Sequence, residues 1–280
     1  MQMQIHNLAS EFVENYEPTL SYLENFFAKH EASYHYYFSY HCKRKEEKMQ
    51  LALERHPLKL ADIRKMCEAM PLFIQEIVDQ YEVLYPIHFT KDVHLLVGIY
   101  GSNAYTHRQF DPEITFCLEK LSAEEDHLKV IIAHEFGHAT HHLLSIRENV
   151  DMYQIEWTSP YTWLLQEGCA TYLSTKVVNT HEDVYFAFER DADWLKFCKD
   201  NENMIVNHFI QEIQTMPSDE IFKEWFSING GERFGKTRLG YYIGYVVVSR
   251  LIELHGEFET ITMWKHTNLK EIILEQLKKI

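Results

Sequence analysis

Apolar residues recur at three- and four-residue spacing at both ends of this 280-residue chain, and a stretch rich in β-formers interrupts them in the middle. Phe12, Tyr16, Leu20, Leu23, Phe26 and Phe27 set the helical period in the first part. A second helical stretch runs from about Ala32 to Arg55, with Lys43–Lys48 as a solvated charged face. Pro57 and Pro71 punctuate the helices that follow, and Pro86 closes the region. From Val93 to Tyr100 the composition turns to β-formers and ends on the turn signal Gly101-Ser102-Asn103. Ile114–Leu118, after Asp111-Pro112, reads as a second strand.

Ser122-Ala-Glu-Glu125 has the spacing of a capping box and predicts a helix from about Ser122 to Ser145. Ser159-Pro160 starts the next helix, which is expected to reach Val177. Further helices are expected over Asp183–Ile213, Ser218–Phe226, Arg238–His255 and Leu269–Lys279, with a break at Gly230-Gly231. The expected fold class is α+β and mostly helical. Its organisation is an N-terminal helical region (1–90), a middle region with a small sheet (91–180), and a C-terminal helical region (181–280).

Composition narrows the function classes. A net charge of −15 makes nucleic acid an unexpected partner. No apolar run is long enough to span a bilayer, and the first residues lack a basic stretch followed by an apolar core, so neither membrane nor signal peptide is expected. Five scattered cysteines without a C-x-x-C spacing fit reduced thiols and a cytoplasmic location.

The chemistry is concentrated in His134-Glu135-Phe136-Gly137-His138. On a helix, residues four apart share a face, so His134 and His138 can grip one metal ion while Glu135 beside them handles a proton. A chain with 17 histidines can produce this motif by accident, so it needs support. Gly137 supplies some, because a mid-helix glycine costs about 1 kcal/mol unless another backbone comes close. The compact three-histidine arrangement is excluded, since the positions that would need Gly and His hold His141 and Leu144. A carboxylate from a later segment remains, either Glu167 or Glu156. Glu167 is favoured, because a glutamate among Leu164, Leu165 and Tyr172 needs a cation to justify its burial, and Gly168 and Ala170 let its helix pack closely. His141 lies on the same stripe and reads as a helix-surface residue or as a group lining the cleft.

His134-Glu-Phe-Gly-His138 followed by Glu167-Gly-Cys-Ala170 resembles the gluzincin clan of thermolysin-like metallopeptidases. More closely, the chain is similar to a bacterial group of predicted zinc-dependent proteases with a later G-Y-x-x-G-Y, matched by Gly240-Tyr241-Tyr242-Ile243-Gly244-Tyr245. The resemblance covers about Val93 to Leu254. It implies a zincin-like core with an active-site helix, one Zn²⁺ held by His134, His138 and Glu167, Glu135 as general base and then acid, and an assisting tyrosine. Tyr241 is the first choice and Tyr242 the next. One departure is Thr171, which stands where thermolysin has an orienting aspartate.

The expected function is therefore a zinc-dependent metallopeptidase that hydrolyses peptide bonds through metal-activated water, with a peptide or protein as substrate. Endopeptidase or oligopeptidase action is preferred, because no acidic cluster offers itself to a substrate amine. Gly98–Ala104, or else Ile114–Leu118, is expected to supply an edge strand for an extended peptide. The alternatives are a non-catalytic zinc-binding regulator and a di-iron protein built on Glu124-x-x-His127 and Glu135-x-x-His138, which is disfavoured because both motifs fall on one helix.

Overall fold

The β-formers from Val93 pair as a strand only as far as Leu96, and the reason lies in what captures the next five residues. The computed structural model describes residues 3–107 and 112–280. Met1, Gln2 and the turn residue Asp111 lie outside that description. The chain divides into two compact units, residues 1–135 and 136–280.

In the first unit, β1 (Ile5–Asn7), β2 (Val93–Leu96), β3 (Ala104–Thr106) and β4 (Ile114–Cys117) form one sheet in the order β1-β2-β4-β3. The first three in that order run parallel, and β3 is antiparallel to β4, with Ala104 opposite Phe116 and Thr106 opposite Ile114. All four residues of β4 are buried, as befits an interior strand. Of the two expected edge segments, Ile114–Leu118 is therefore interior. The edges are β1 and β3, and β3 begins where the Gly98–Ala104 segment ends.

Val97 to Gly101 leave the ladder, yet most of their backbone groups find side-chain partners. The Tyr34 hydroxyl donates to the Val97 carbonyl, and the Tyr37 oxygen accepts the N–H groups of Ile99 and Gly101. Glu119 accepts from Gly98 and Tyr100, and His56 bonds the Gly98 carbonyl at 2.9 Å. Side chains take over where the sheet stops, as buried backbone requires.

The helices of this unit are α1 (Leu8–Glu14), α2 (Leu20–Lys29), α3 (Glu31–Tyr36) and α4 (Lys45–Leu84). Pro57 and Pro71 do not end a helix, because both fall inside the 40-residue α4. Each costs about 3 kcal/mol in a helix interior. The buried face of Ile63, Met66, Met70, Ile74, Ile77 and Tyr81 outweighs that cost. The long helix α5 (Glu125–Arg147) contains the boundary between the units. It starts three residues later than the capping-box spacing implied. The Ser122 oxygen accepts from Glu124 N and meets His127 Nδ1, while Glu125 pairs with Lys129 instead of turning back.

The second unit is built around α6 (Pro160–Val177), which forms over the expected residues. Thirteen of its 18 residues are buried, so it is covered on nearly all sides. The expected Asp183–Ile213 helix is instead α7 (Val184–Ala187), α8 (Ala192–Asp200) and α9 (Glu202–Glu212). Phe188, in the left-handed region at φ 59°, stops the first, and the Asp191 side chain caps the second. Next come α10 (Ser218–Ile221) with a π-turn over Phe222–Phe226, α11 (Leu239–His255), α12 (Glu257–Ile261) and α13 (Leu269–Leu277). Gly256 at φ 86° ends α11.

The helices α6 and α11 meet backbone to backbone. A Cβ on Gly244 would sit 2.7 Å from the Leu164 carbonyl oxygen and 3.0 Å from Gly168 N, and one on Gly168 would collide with the Gly244 carbonyl. The mostly helical α+β class is thus observed, and no described helix is long and apolar enough to cross a membrane.

Glu119 yields a pH signature. Only 1% of it is exposed, and loss of water raises its carboxyl group to about 6, against the backbone N–H bonds that favour the anion. A raised carboxyl pKa means that the folded protein holds the proton more tightly than the unfolded chain. Its contribution is full below the ordinary value of 4.5 and is lost as the pH rises through about 6. Relative to Glu119→Gln, which is neutral throughout, the wild type is expected to lose about 2 kcal/mol of stability across that window, read from urea unfolding at each pH.

Candidate metal centre

Helical spacing puts His134 and His138 one turn apart on α5. Glu167 is brought to them by α6, whose approach to α5 is set by Gly137. A Cβ there would lie 2.9 Å from the carbonyl oxygen of Ala170 and 3.0 Å from its Cα. The ligand-bearing atoms of His134, His138 and Glu167 all lie within 4.8 Å of one another. His138 Nε2 and Glu167 Oε2 are 3.4 Å apart, and these side chains remain 13% and 18% exposed.

These donors fit a metal ion. Two imidazoles and a carboxylate are a known donor set for catalytic zinc, with bonds of about 2.0–2.2 Å. Two ligands on a tetrahedron with such bonds are separated by about 3.4 Å, which is the observed His138–Glu167 spacing. The partial exposure leaves room for a further ligand from solvent.

Glu135 is 7% exposed. Its Oε2 lies 2.8 Å from the Thr106 hydroxyl, which also reaches the Glu135 carbonyl at 3.0 Å. One hydroxyl proton serves one acceptor at a time, so Thr106 can hold the carboxylate and can also release it. The sequence reading missed Thr106 because it missed β3, a strand of only three residues. The run Ala104-Tyr105-Thr106 just after a turn is the signal that was there to find.

The remaining candidates divide. Glu156 is exposed in the loop before α6 and is not in the metal-competent group. Glu124 is exposed too, and His127 pairs with Ser122, so neither joins that group. Tyr242 is buried and its hydroxyl donates to Glu202 Oε2 at 2.7 Å. Tyr241 is half-buried on α11, with its ring 6.1 Å from that of Phe188. His141 is not a surface residue. It is fully buried and stacked on Trp264 at 3.8 Å. Burial, with His142 and His138 adding to it, pushes its pKa well down, so it packs as a neutral ring. Thr171 is buried as well, and its hydroxyl has no hydrogen-bond partner among the described residues. It therefore does not replace an orienting aspartate.

No family model matches the chain, and no match was found among curated proteins or solved structures.

His138→Ala and Glu167→Gln are each expected to weaken zinc binding by at least about 100-fold, while Glu156→Gln leaves it unchanged. Competition against a chromogenic chelator measures this. Equal affinities across the three variants would remove Glu167 from the ligand set.

Proposed function

We propose that this chain is a zinc-dependent metallopeptidase of gluzincin type, with His134, His138 and Glu167 as the ligands of one Zn²⁺. The observation that carries the proposal is the 3.4 Å approach of Glu167 to His138, with Glu135 next to the first histidine on the same helix. A zincin-like core, the gluzincin relationship and a cytoplasmic location belong to the same reading. The five cysteines, all free and buried, agree with the last of these.

When bound, the metal supplies Lewis acidity toward a water molecule and toward the scissile carbonyl. The protein's own groups do the rest. Glu135 takes the proton of the attacking water and returns it to the leaving amine, which neither the histidines nor a neutral hydroxyl can do. Thr106 aims the Glu135 carboxylate and shields one of its oxygens from water. Because Thr106 sits on the edge strand β3, an extended peptide added along that strand runs beside Glu135. Tyr241, half-exposed, is assigned as the donor to the developing oxyanion. Tyr242 is set aside, because its proton is committed to Glu202.

Glu135→Gln is expected to keep one zinc per chain and to lower peptide cleavage by about a hundredfold to ten-thousandfold. Cleavage of a degenerate peptide library followed by mass spectrometry, with zinc measured on the same sample, makes the test. A fully active variant, or a zinc-loaded wild type that cuts no library member, would sink the peptidase reading.

A further inference from the structure

Arg238 is a cation that the fold places with care and leaves incompletely satisfied. It is the residue before α11 and adopts φ 60°, ψ 28°, a left-handed conformation that side chains bearing a Cβ rarely take. Its neighbours fix it there. Trp194 Nε1 donates to the carbonyl of the preceding Thr237 at 2.9 Å, and the Arg238 carbonyl accepts Tyr241 N at 3.1 Å. Phe188, the second left-handed residue at this place, lies with its ring 5.7 Å from the guanidinium carbon and 6.1 Å from the Tyr241 ring.

The guanidinium has five donors. One Nη1 proton goes to the Ala187 carbonyl at 3.1 Å. Nε is closed to solvent and has no partner among the described residues. Burial lowers the pKa of the group, while Tyr241, Glu189 and Asp191 act on it the other way. Yet no carboxylate among the described residues stands at ion-pair distance. Glu189 is exposed, and Asp191 is spent on the N-terminus of α8. A half-buried cation left without a counter-ion in a chain of net charge −15 is unusual.

We infer that Arg238 receives a carboxylate of the peptide substrate and so sets specificity at the proposed metallopeptidase site, an assignment that rests on the peptidase reading. The placement suits it. Arg238 stands one turn before Tyr241 and six residues before Gly244, about 9 Å of helix. Gly244 touches the α6 backbone at Gly168, the residue after Glu167. A peptide whose scissile carbonyl faces Tyr241 therefore carries a residue within reach of Arg238. The planar fork of arginine matches a carboxylate, and with Nε closed off and one Nη1 proton held by Ala187, the other Nη1 proton and the Nη2 protons are left for the ligand. The carboxylate is either the substrate's C-terminus or an Asp or Glu side chain.

The test uses the full-length, zinc-loaded protein. Arg238 Nε–H, shielded from water, gives a proton–nitrogen resonance assigned by its loss in Arg238→Lys. Acetyl-Phe-Gly as the free acid, the same peptide as its amide, and acetyl-Glu-amide are titrated in turn. A saturable shift with the free acid alone identifies the C-terminal carboxylate, and a shift with acetyl-Glu-amide identifies the side chain. In parallel, a peptide library is offered as free acids, as amides, and as amides with Glu replaced by Gln. The wild type is expected to prefer the carboxylate-bearing form by about tenfold or more through KM, and Arg238→Gln to erase that preference with kcat little changed.

A resonance that no probe moves, or a preference that survives in Arg238→Gln, overturns the assignment. Carboxylate binding that persists undiminished in Arg238→Gln assigns the anion to the metal and counts against Arg238 as well. The two readings fail separately. Peptides cut without regard to their carboxylates leave the peptidase standing and remove Arg238, whereas a shifted resonance without any cleavage does the reverse.

Discussion

Everything in the second unit depends on how closely other backbones come to α6. Gly168 and Gly244 let α6 and α11 touch main chain to main chain, and Gly137 admits the Ala170 backbone against α5. A single added methyl at these points would have to displace a carbonyl, in a protein interior that packs as densely as a molecular crystal. The contacts are sites of assembly as much as of stability. His138 follows Gly137, and the 3.4 Å between the His138 and Glu167 side chains goes with the close approach of α5 to the Ala170 backbone of α6 at that glycine.

A second constraint runs through the first unit, namely the burial of polar groups in defined partnerships. The segment after β2 has no strand to pair with, so Tyr34, Tyr37, His56 and Glu119 satisfy its backbone. Thr106 performs the same service for Glu135. Each arrangement costs desolvation, which shows in the raised carboxyl group of Glu119. Together they hold β3 and its neighbouring loop in place, and with them the Thr106 hydroxyl that touches the proposed general base. Arg238 stands apart from this pattern. Its backbone is fixed as firmly as any of these, but its charge is not matched by the fold.

The amino-acid order by itself specified a good deal. The mostly helical class, the α6 helix from its Ser-Pro start to Val177, and the pairing of His134 with His138 all follow from local periodicity and capping. The grouping of Glu167 with the two histidines was legible as well, because a carboxylate inside an apolar helix needs a partner for its charge. Glycine placement foretold close packing at Gly137 and Gly168, since a mid-helix glycine without that purpose only costs stability, although the backbone that Gly168 admits is that of α11 and the one against α5 is at Ala170.

Tertiary structure decided what local rules could not reach. Pro57 and Pro71 look like helix ends, but α4 continues through both because the apolar face beneath them is buried along its length. The β1 and β3 strands are three residues each, too short for any period to register, and they exist only because β2 and β4 offer edges to pair with. His141 shares a stripe with His134 and His138 but faces Trp264, a residue far off in sequence that turns a surface position into core. Thr106 beside Glu135, and Arg238 beside Ala187 and Phe188, join residues tens of positions apart. Capping and periodicity act within a few residues, whereas these contacts depend on the closed chain, and only the folded molecule contains them.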